Sequence, residues 1–213
     1  MTALLEARGL GVRAGPRPLF EGLDLALSPG EVLAIVGPSG SGKTTLLRTL
    51  ALLIDPLSGE IALDGKSPDA IGITHFRRRV AYVAQRPIVL DGTVLDNLEF
   101  AFDFSAAATA FDDVTARATL EQFGVGADVL TQEARTLSEG QRQRIGLIRT
   151  LLTEPDVLLL DEPTSALDHD TAVAVETYLR ALPCGIIVVT HDPLQVERLE
   201  ARVLDLREVL GDG

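Results

Sequence analysis

The sequence contains no tryptophan and very little cysteine, and the shortage of cysteine limits the covalent cross-links that could stabilise the fold. Its 213 residues include one cysteine, Cys184, so a disulfide within the chain is excluded. We therefore expect a fold held by its apolar core, in a reducing compartment. Cys184 lies directly before an apolar run, which favours a small buried side chain over a reactive thiol.

Positive charge and long apolar runs are also scarce. Lysine and arginine number 19 against 31 aspartate and glutamate residues, which gives a formal net charge of −12. A nucleic-acid-binding surface needs clustered cations, so this balance argues against nucleic acid as a partner. No segment approaches the roughly 18–20 apolar residues that span a membrane. The first residues lack the pattern of a secretory signal, so we expect a cytoplasmic protein.

A glycine-rich loop is the strongest motif that the sequence contains. It consists of Gly37, Pro38, Ser39, Gly40, Ser41, Gly42, Lys43 and Thr44. The apolar run Val32–Val36 before it predicts a buried strand, and the leucine-rich run Thr45–Leu53 after it predicts a helix. Strand, loop and helix together form a P-loop, whose backbone N–H groups converge on the phosphates of a nucleotide. We expect Lys43 to reach the β- and γ-phosphates and the Thr44 hydroxyl to bind Mg²⁺.

Two further apolar runs end in polar residues that suit the same chemistry. Asp161 and Glu162 follow the run Val157–Leu160, and Thr190 separates His191 from the end of the next apolar run. Because ligands of parallel sheets bind beyond the carboxyl ends of the strands, we expect these side chains beside the P-loop. Asp161 is predicted to hold Mg²⁺, Glu162 to accept a proton from the attacking water, and His191 to hydrogen-bond the γ-phosphate.

A glutamine follows another strand-like run. Gln85 comes after Val80–Ala84, where its amide could contact Mg²⁺ or the attacking water. A glutamine taken alone is an ordinary loop residue. Its position beyond a strand end, like the positions of Asp161 and His191, favours a place in the site.

Alternating strand and helix patterns predict an α/β fold with a mainly parallel central sheet. Helices are expected over Arg142–Leu152, Thr171–Leu182 and Leu194–Leu199. Near the start of the chain, Leu4–Leu10 and Leu23–Leu27 alternate apolar and polar residues, which predicts an amino-terminal antiparallel β subdomain.

Between Pro87 and about Thr136 the strand signals fade, which predicts a helical insert. An alanine-rich helix is expected over Ala106–Phe123. The sequence thus predicts one domain, 1–213, made of a nucleotide-binding core with its β subdomain, 1–86 and 137–213, and a helical subdomain, 87–136.

The segment Leu137–Arg144, with the sequence LSEGQRQR, resembles the signature sequence of the ATP-binding-cassette (ABC) ATPases. It lies between Gln85 and Asp161, where that family has it, and Asp161–Asp168 resembles the family's acidic motif followed by its D-loop. Gln85 and His191 match the family's loop glutamine and switch histidine. The order of motifs is similar to the family across essentially the whole chain, which implies the P-loop NTPase fold of ABC ATPases.

This resemblance implies that two copies of the chain close head to tail around two ATP molecules. Ser138 and Gly140 of one copy would cap the γ-phosphate held by Lys43 of the other, so that a homodimer is needed for turnover. The remaining positions that the family pattern implies as nucleotide contacts are Thr45, Gln141 and Asp168.

A membrane permease is the second partner that the resemblance implies. The helical insert and the segment after Gln85 would contact it, so the protein would lie peripherally on the inner face of the cell membrane. Tyr82–Phe100 and Gln143–Leu151 look most like the compact stand-alone ATPases that are paired with small efflux permeases, including the bacterial iron-export type.

Three features depart from the family pattern. The signature has Glu139 where the family usually has glycine. This carboxylate would repel the triphosphate unless its side chain points away or Arg142 and Arg144 compensate its charge. The aromatic residue that usually stacks on adenine is missing near Ala14, where the nearest aromatic is Phe20. Stacking on a base is worth roughly 1–3 kcal/mol. Many exporters carry a segment of the type T-E-V-G-E-R before the signature, and no such segment is evident in Thr131–Thr136.

The expected function is that of the ATP-hydrolysing subunit of an ABC transporter. Two alternatives stay open: a nucleotide-gated regulatory or binding protein with weak hydrolysis, which Glu139 would favour, and the ATPase of an importer. ABC ATPases of repair need a longer insert and those of translation need two cassettes, and a GTPase would carry an N-K-x-D motif, which the sequence lacks. The transported substrate is not specified.

Overall fold

The strands of the protein form two sheets in the computed structural model, which describes residues 3–103 and 110–210. In chain order they are β1 (Leu5–Ala14), β2 (Arg17–Leu27), β3 (Val32–Val36), β4 (Ser58–Leu63), β5 (Val80–Val83), β6 (Val157–Asp161), β7 (Gly185–Val189) and β8 (Arg202–Asp205). Five strands run parallel in the order β5-β6-β7-β3-β8, and β2, β1 and β4 pair antiparallel. The predicted α/β class, with its parallel central sheet and amino-terminal antiparallel sheet, is confirmed.

Helices connect and cover the strands. In chain order they are α1 (Lys43–Leu50), α2 (Pro68–Ile71), α3 (Ile73–Arg79), α4 (Val94–Glu99), α5 (Asp113–Gln122), α6 (Glu139–Leu151), α7 (His169–Arg180), α8 (Pro193–Arg198) and α9 (Leu206–Leu210). Three of them begin earlier than their apolar patterns predict, because side chains cap their first turns. Ser138 caps α6, Asp168 caps α7 and Asp192 caps α8, each accepting a hydrogen bond from a backbone N–H.

Helix α1 also differs from its predicted bounds, since it begins at Lys43 and ends at Leu50. Leu52 adopts a φ of 58°, and the N–H of Leu53 bonds back to the carbonyl of Arg48 at 2.8 Å. A left-handed residue with this backward bond ends a helix whatever the apolar pattern beyond it.

Side chains of the parallel strands alternate between two apolar clusters. Leu33 and Ile35 of β3 pack with the antiparallel sheet and α1, whereas Val32 and Ala34 pack with α6 and α7. Strands β6 and β7 divide in the same way. Because both faces of the sheet are covered, these strands are continuous apolar runs, and their first polar residues come at the strand ends.

The helical insert is smaller in regular structure than predicted. Of the helix expected over Ala106–Phe123, the part up to residue 109 lies outside the described residues. Within them, α5 begins only at Asp113, because Asp112 is extended and caps the helix with bonds from the N–H groups of Val114 and Thr115. Helix α4 and three short 3-10 turns make up the rest of the insert's described helical structure.

Among the residues that the structure describes, no helix is both long and apolar enough to cross a membrane.

Candidate active site

The P-loop connects β3 to α1, and its glycines allow the backbone to turn. Gly37, Gly40 and Gly42 adopt φ values of 148°, 78° and 97°, where other residues are strained. Gly42 is restricted further, since a Cβ there would lie 2.8 Å from Cδ1 of Leu19. Pro38, Ser39 and Gly40 are exposed at the rim of the loop. The loop is thus open on its outer side and held tightly beneath Gly42.

Lys43 closes the loop from inside. Its Nζ donates hydrogen bonds of 2.9 Å to the carbonyls of both Gly37 and Pro38, and the residue is 6% exposed. Burial lowers the pKa of the Lys43 ammonium, and the nearby carboxylates of Glu162 and Asp161 oppose that shift. A cation held in this place is suited to bind the oxygens of a phosphate.

Ser41 carries a buried hydroxyl that fits a nucleotide. The residue is 7% exposed, and its Oγ has no hydrogen-bond partner among the described residues. Buried polar atoms are nearly always paired, so an unpaired hydroxyl inside an anion-binding loop is an observation that favours a phosphate ligand.

Asp161, at the end of β6, meets the start of α1. The hydroxyl of Thr44 donates to Oδ1 of Asp161 at 3.1 Å, and Tyr82 donates to Oδ2 at the same distance. Asp161 is 5% exposed. Thr44 and Asp161 together offer the hydroxyl and carboxylate oxygens that Mg²⁺ prefers, so these residues fit the predicted ion. Thr45, next in the chain, is partly buried, and its carbonyl accepts a bond from the Thr49 hydroxyl.

Tyr82 is a residue of the site that the sequence patterns miss. Besides its bond to Asp161, it accepts one of 3.3 Å from Nε of Arg48. Burial raises the pKa of the Tyr82 hydroxyl, which therefore stays a donor. Its place on β5, two residues from the strand's start, is the only local signal that it would face Asp161.

Glu162 is held by both of the residues predicted to share its chemistry. Gln85 Nε2 donates to Oε2 at 2.7 Å, and His191 Nε2 lies 3.3 Å from Oε1. The backbone of Glu162 has a φ of 48°, and its N–H bonds to the carbonyl of Val189 at 3.0 Å. Strain in a non-glycine residue at a polar strand end is typical of functional sites. The roles predicted for these three side chains agree with this arrangement and stay predictions.

Gln143 connects Glu162 to α6, the signature helix, which begins within the signature sequence. It is the most important residue of the site that sequence reasoning misses. This side chain is 2% exposed. Its Nε2 donates to the carbonyls of Glu162 at 2.9 Å and Gln85 at 3.3 Å, and its Oε1 accepts from the N–H of Ala166 at 3.1 Å. Gln143 thus connects α6 directly to the backbone of both Gln85 and Glu162.

The residues implied by the signature and D-loop lie at the starts of two helices. Ser138 is exposed and caps α6 together with Gln141, whose side chain accepts from the Ser138 N–H at 2.9 Å. Gly140 allows a close approach, because a Cβ there would lie 2.9 Å from the carbonyl oxygen of Ala166. Asp168 caps α7, and hydrogen bonds from Thr171 lower its pKa. These positions have structural tasks in the single chain, and their nucleotide contacts stay predictions.

Glu139 is paired within the same chain. Arg86, the residue after Gln85, places its Nε 3.3 Å from Oε1 of Glu139, and both side chains are exposed. Arg144 is turned elsewhere, since it donates to the carbonyls of Phe123 and Gly124. Arg86 is thus the cation that accompanies the unusual carboxylate.

The adenine side of the site has no aromatic at the expected place. Ala14 is exposed at the end of β1, while Phe20 is 6% exposed and packs beneath Gly42. Phe20 is therefore a core residue.

Comparison with known proteins agrees with this geometry. The family model described as "ABC transporter" matches residues 20–165. The chain is 35% identical to the "Probable iron export ATP-binding protein FetA" of Escherichia coli (strain K12), over 98% of this chain and 93% of that protein. It is 38% identical to the cytochrome c biogenesis ATP-binding export protein CcmA 2 of Cupriavidus metallidurans, over 96% and 95% of the two chains.

A solved structure is similar as well. The ATP-binding subunit of an ABC transporter superimposes with a TM-score of 0.81 and 25% identity, over 92% of this chain and 82% of that one. The two relatives and the solved structure each match this chain over more than nine tenths of its length. The protein belongs to the ABC transporter family and is an ATP-binding subunit of such a transporter, with the activity of an ATPase.

Proposed function

We propose that two copies of the chain hydrolyse Mg²⁺-bound ATP in shared sites and thereby drive a separate membrane permease. The observation that carries the proposal is the meeting of five side chains beyond β3, β6 and β7, where Lys43 and Thr44 lie beside Asp161 and where Glu162 contacts His191. This edge brings one buried cation, two carboxylates and a histidine to the mouth of a phosphate-binding loop.

Glu162 is the group that would accept the proton of the attacking water. Gln85 and His191 each hold one of its oxygens, which limits the directions in which the carboxylate can turn. A positioned base of this kind contributes about 10²- to 10⁴-fold to a rate. Mg²⁺, held by Thr44 and Asp161, would neutralise charge on the β- and γ-phosphates.

Ser138 is proposed to complete the site of the other copy. It lies exposed at the amino end of α6, whose first N–H groups and dipole favour an anion. Glu139 opposes that preference, and Arg86 offsets its charge. Head-to-tail closure of two chains would bring this helix end over the partner's P-loop.

The permease is proposed to contact the segment that follows Gln85. Ile88 is 76% exposed, and Arg149 of α6 holds its carbonyl at 3.0 Å. A contact at Ile88 would therefore be felt both by Gln85 and by the signature helix. Because it would contact a membrane permease, the protein is proposed to lie on the inner face of the cell membrane. The helical subdomain is proposed to be 87–136, and the core to be 1–86 and 137–213.

Metal-ion efflux, and iron efflux in particular, is the transport function that the E. coli relative favours. That relative aligns over almost its whole length, as a stand-alone subunit would. Cells that lack this protein should then accumulate iron when iron is in excess, and unchanged iron content would remove iron as the cargo.

Rates of ATP hydrolysis by the purified protein test the proposal. The specific rate should climb as protein concentration rises, because sites form only in dimers. Glu162→Gln should retain ATP binding and lose at least about 100-fold in rate, whereas Glu121→Gln, exposed on α5, should change neither. Lys43→Ala should lose nucleotide binding. Normal hydrolysis by Glu162→Gln would contradict the role of Glu162, and weak hydrolysis by the unaltered chain at every concentration would favour a nucleotide-gated binding protein.

A further inference from the structure

Helix α7 carries a buried carboxylate that the site described above does not include. The side chain of Glu176 is 1% exposed. Burying a charge is costly unless the charge is paired and hydrogen-bonded. Glu176 meets that condition: Oε1 accepts from Gln195 Nε2 at 2.8 Å and from the Thr164 hydroxyl at 3.3 Å, and Oε2 pairs with Nε of Arg198.

Two of these partners belong to α8, the helix that follows His191. Gln195 is 3% exposed, and its Nε2 also lies 2.8 Å from the hydroxyl of Thr164. Arg198 uses its Nη2 to bind Oδ2 of Asp192 at 3.1 Å. Asp192 is the residue after His191 and the cap of α8. Glu176 thus fixes α8 and, through it, the backbone that carries the switch histidine.

Thr164 lies on the other side of the same carboxylate. It comes two residues after Glu162, within the segment Asp161–Asp168 that resembles the family's acidic motif and D-loop. The contacts form a closed circuit, from Glu162 to His191 at 3.3 Å, along α8 to Glu176, and back through Thr164 to Glu162. The D-loop and the histidine segment therefore cannot shift independently without breaking a hydrogen bond to Glu176 or Gln195, both of which are buried side chains.

A ligand site does not explain this cluster. The adjoining cleft, of about 390 Å³, is lined by Glu162, Glu176 and Asp192 together with Arg198. The guanidinium of Arg198 already binds two of these carboxylates. An anion would meet three negative charges there, so the arrangement suits an internal clamp.

We propose that Glu176 is a positioning residue that holds the D-loop and the His191 segment in register with Glu162, so that cleavage of ATP depends on it. The proposal rests on the roles proposed above for Glu162 and His191. Glu176 touches no reacting atom and leaves the P-loop unchanged. Its loss should therefore lower kcat with little effect on KM.

Thr164 provides the cleanest variants, because valine removes its hydroxyl at nearly constant size and serine keeps it. Thr164→Val should lower kcat about tenfold, since small misplacements of catalytic groups cost up to about 100-fold. Thr164→Ser should remain within about twofold of the unaltered protein. Glu176→Gln removes the charge and sets an amide N–H₂ against Arg198. We expect the same loss in kcat, with KM for ATP within about twofold.

Two variants, one just beyond the end of α8 and one on α7, serve as controls. Glu200→Gln removes the exposed ion pair with Arg180 that joins the ends of α7 and α8. Thr177→Val removes an exposed hydroxyl that bonds only within α7. Both variants should leave kcat unchanged, because neither removes a contact to Glu176, the D-loop or the His191 segment.

Unchanged kcat per folded molecule in Thr164→Val would overturn the proposal, as would a change confined to thermal stability or to KM. Thr164 is only partly buried, so Thr164→Val should fold even if Glu176→Gln does not. Its kcat then tests the proposal by itself. Glu162→Gln, measured in parallel, distinguishes a failure of the positioning role of Glu176 from a failure of the proposed active site. If Glu162→Gln loses hydrolysis and Thr164→Val does not, only the positioning role of Glu176 is wrong. If both variants hydrolyse ATP normally, the role proposed for Glu162 is wrong as well.

Discussion

The side-chain amide of Gln85 donates a hydrogen bond of 2.7 Å to Oε2 of Glu162. Gln85 is exposed, and the chain continues from it into Pro87, which packs so closely on α6 that a Cβ on Gly146 would lie 2.3 Å from Pro87 Cβ. The proposed base is therefore connected by one side chain to the segment proposed to meet the permease. We therefore expect a movement of that segment to change the position of the Glu162 carboxylate.

Gln85→Ala should lower the rate of hydrolysis and leave ATP affinity nearly unchanged. The alanine frees one oxygen of Glu162 and removes the contact proposed to the attacking water, while Lys43 and Thr44 keep their contacts. We expect a loss of about 10- to 100-fold in kcat. Gln122→Ala, exposed at the end of α5, is the control for truncating a glutamine. A loss of ATP affinity with unchanged kcat would show that Gln85 belongs to the binding of ground-state nucleotide.

Gln143→Leu should destabilise the fold as well as slow hydrolysis. Leucine has a similar size but leaves the Gln85 carbonyl without this donor and the N–H of Ala166 without its acceptor. The Glu162 carbonyl also loses the amide but keeps a bond of 3.3 Å from the N–H of Ser165. Each buried polar group left unpaired costs about 1–3 kcal/mol, so we expect the free energy of unfolding to fall by about 2–4 kcal/mol. Urea denaturation measures it. Gln122→Leu, on the surface, should change it by less than about 0.5 kcal/mol. Equal effects of the two variants would contradict the bridging role of Gln143.

Glu139 and Arg86 should have opposite effects on ATP-driven dimerisation. Glu139→Gln removes a negative charge near the place proposed for the partner's triphosphate and should strengthen dimerisation several-fold. Arg86→Gln leaves that charge uncompensated and should weaken it. Both side chains are exposed, so the pair contributes at most about 1 kcal/mol to folding, and unfolding should hardly change. The difference between the variants should shrink in high salt, because exposed charges are screened. Equal dimerisation of both at low salt would show that Glu139 points away from the partner.

Cys184 should react slowly with iodoacetamide in the native protein and rapidly in denaturant. Burial raises the pKa of its thiol from 9.0 to about 11, so little thiolate exists at neutral pH. Because the folded-state pKa is the higher one, the stabilisation from this group is complete below pH 9.0 and is lost as the pH rises through about 11. Cys184 is only partly buried, which is less than its place before an apolar run predicts, so the slow labelling follows from the raised pKa of the thiol. Equal rates with and without denaturant would contradict that raised pKa.

The parts of the site that follow apolar strands are predictable from the sequence. A strand buried on both faces is a continuous apolar run, so its first polar residue marks the edge of the sheet where ligands bind. This reasoning finds Lys43, Asp161 and His191 and places Glu162 beside them. The same periodicity predicts the fold class and the order of the elements.

Contacts between distant residues are not predictable in this way. Gln143 reaches a carbonyl 58 positions away, and Tyr82 reaches Asp161 across 79 positions. No local pattern reports such pairings, since they depend on how the strands are ordered in the sheet. The starts of α6 and α7 also escape the apolar pattern, because capping by Ser138 and Asp168 decides them.

The mass of Glu162→Gln in solution, measured by light scattering with and without Mg²⁺ and ATP, shows whether two copies share the ATP sites. We predict one chain of 22.7 kDa without nucleotide and about twice that mass with it, because ATP would be bound between two copies and not cleaved. Adding Lys43→Ala to this variant should abolish the change. A mass that stays at 22.7 kDa while ATP is bound would contradict the shared site.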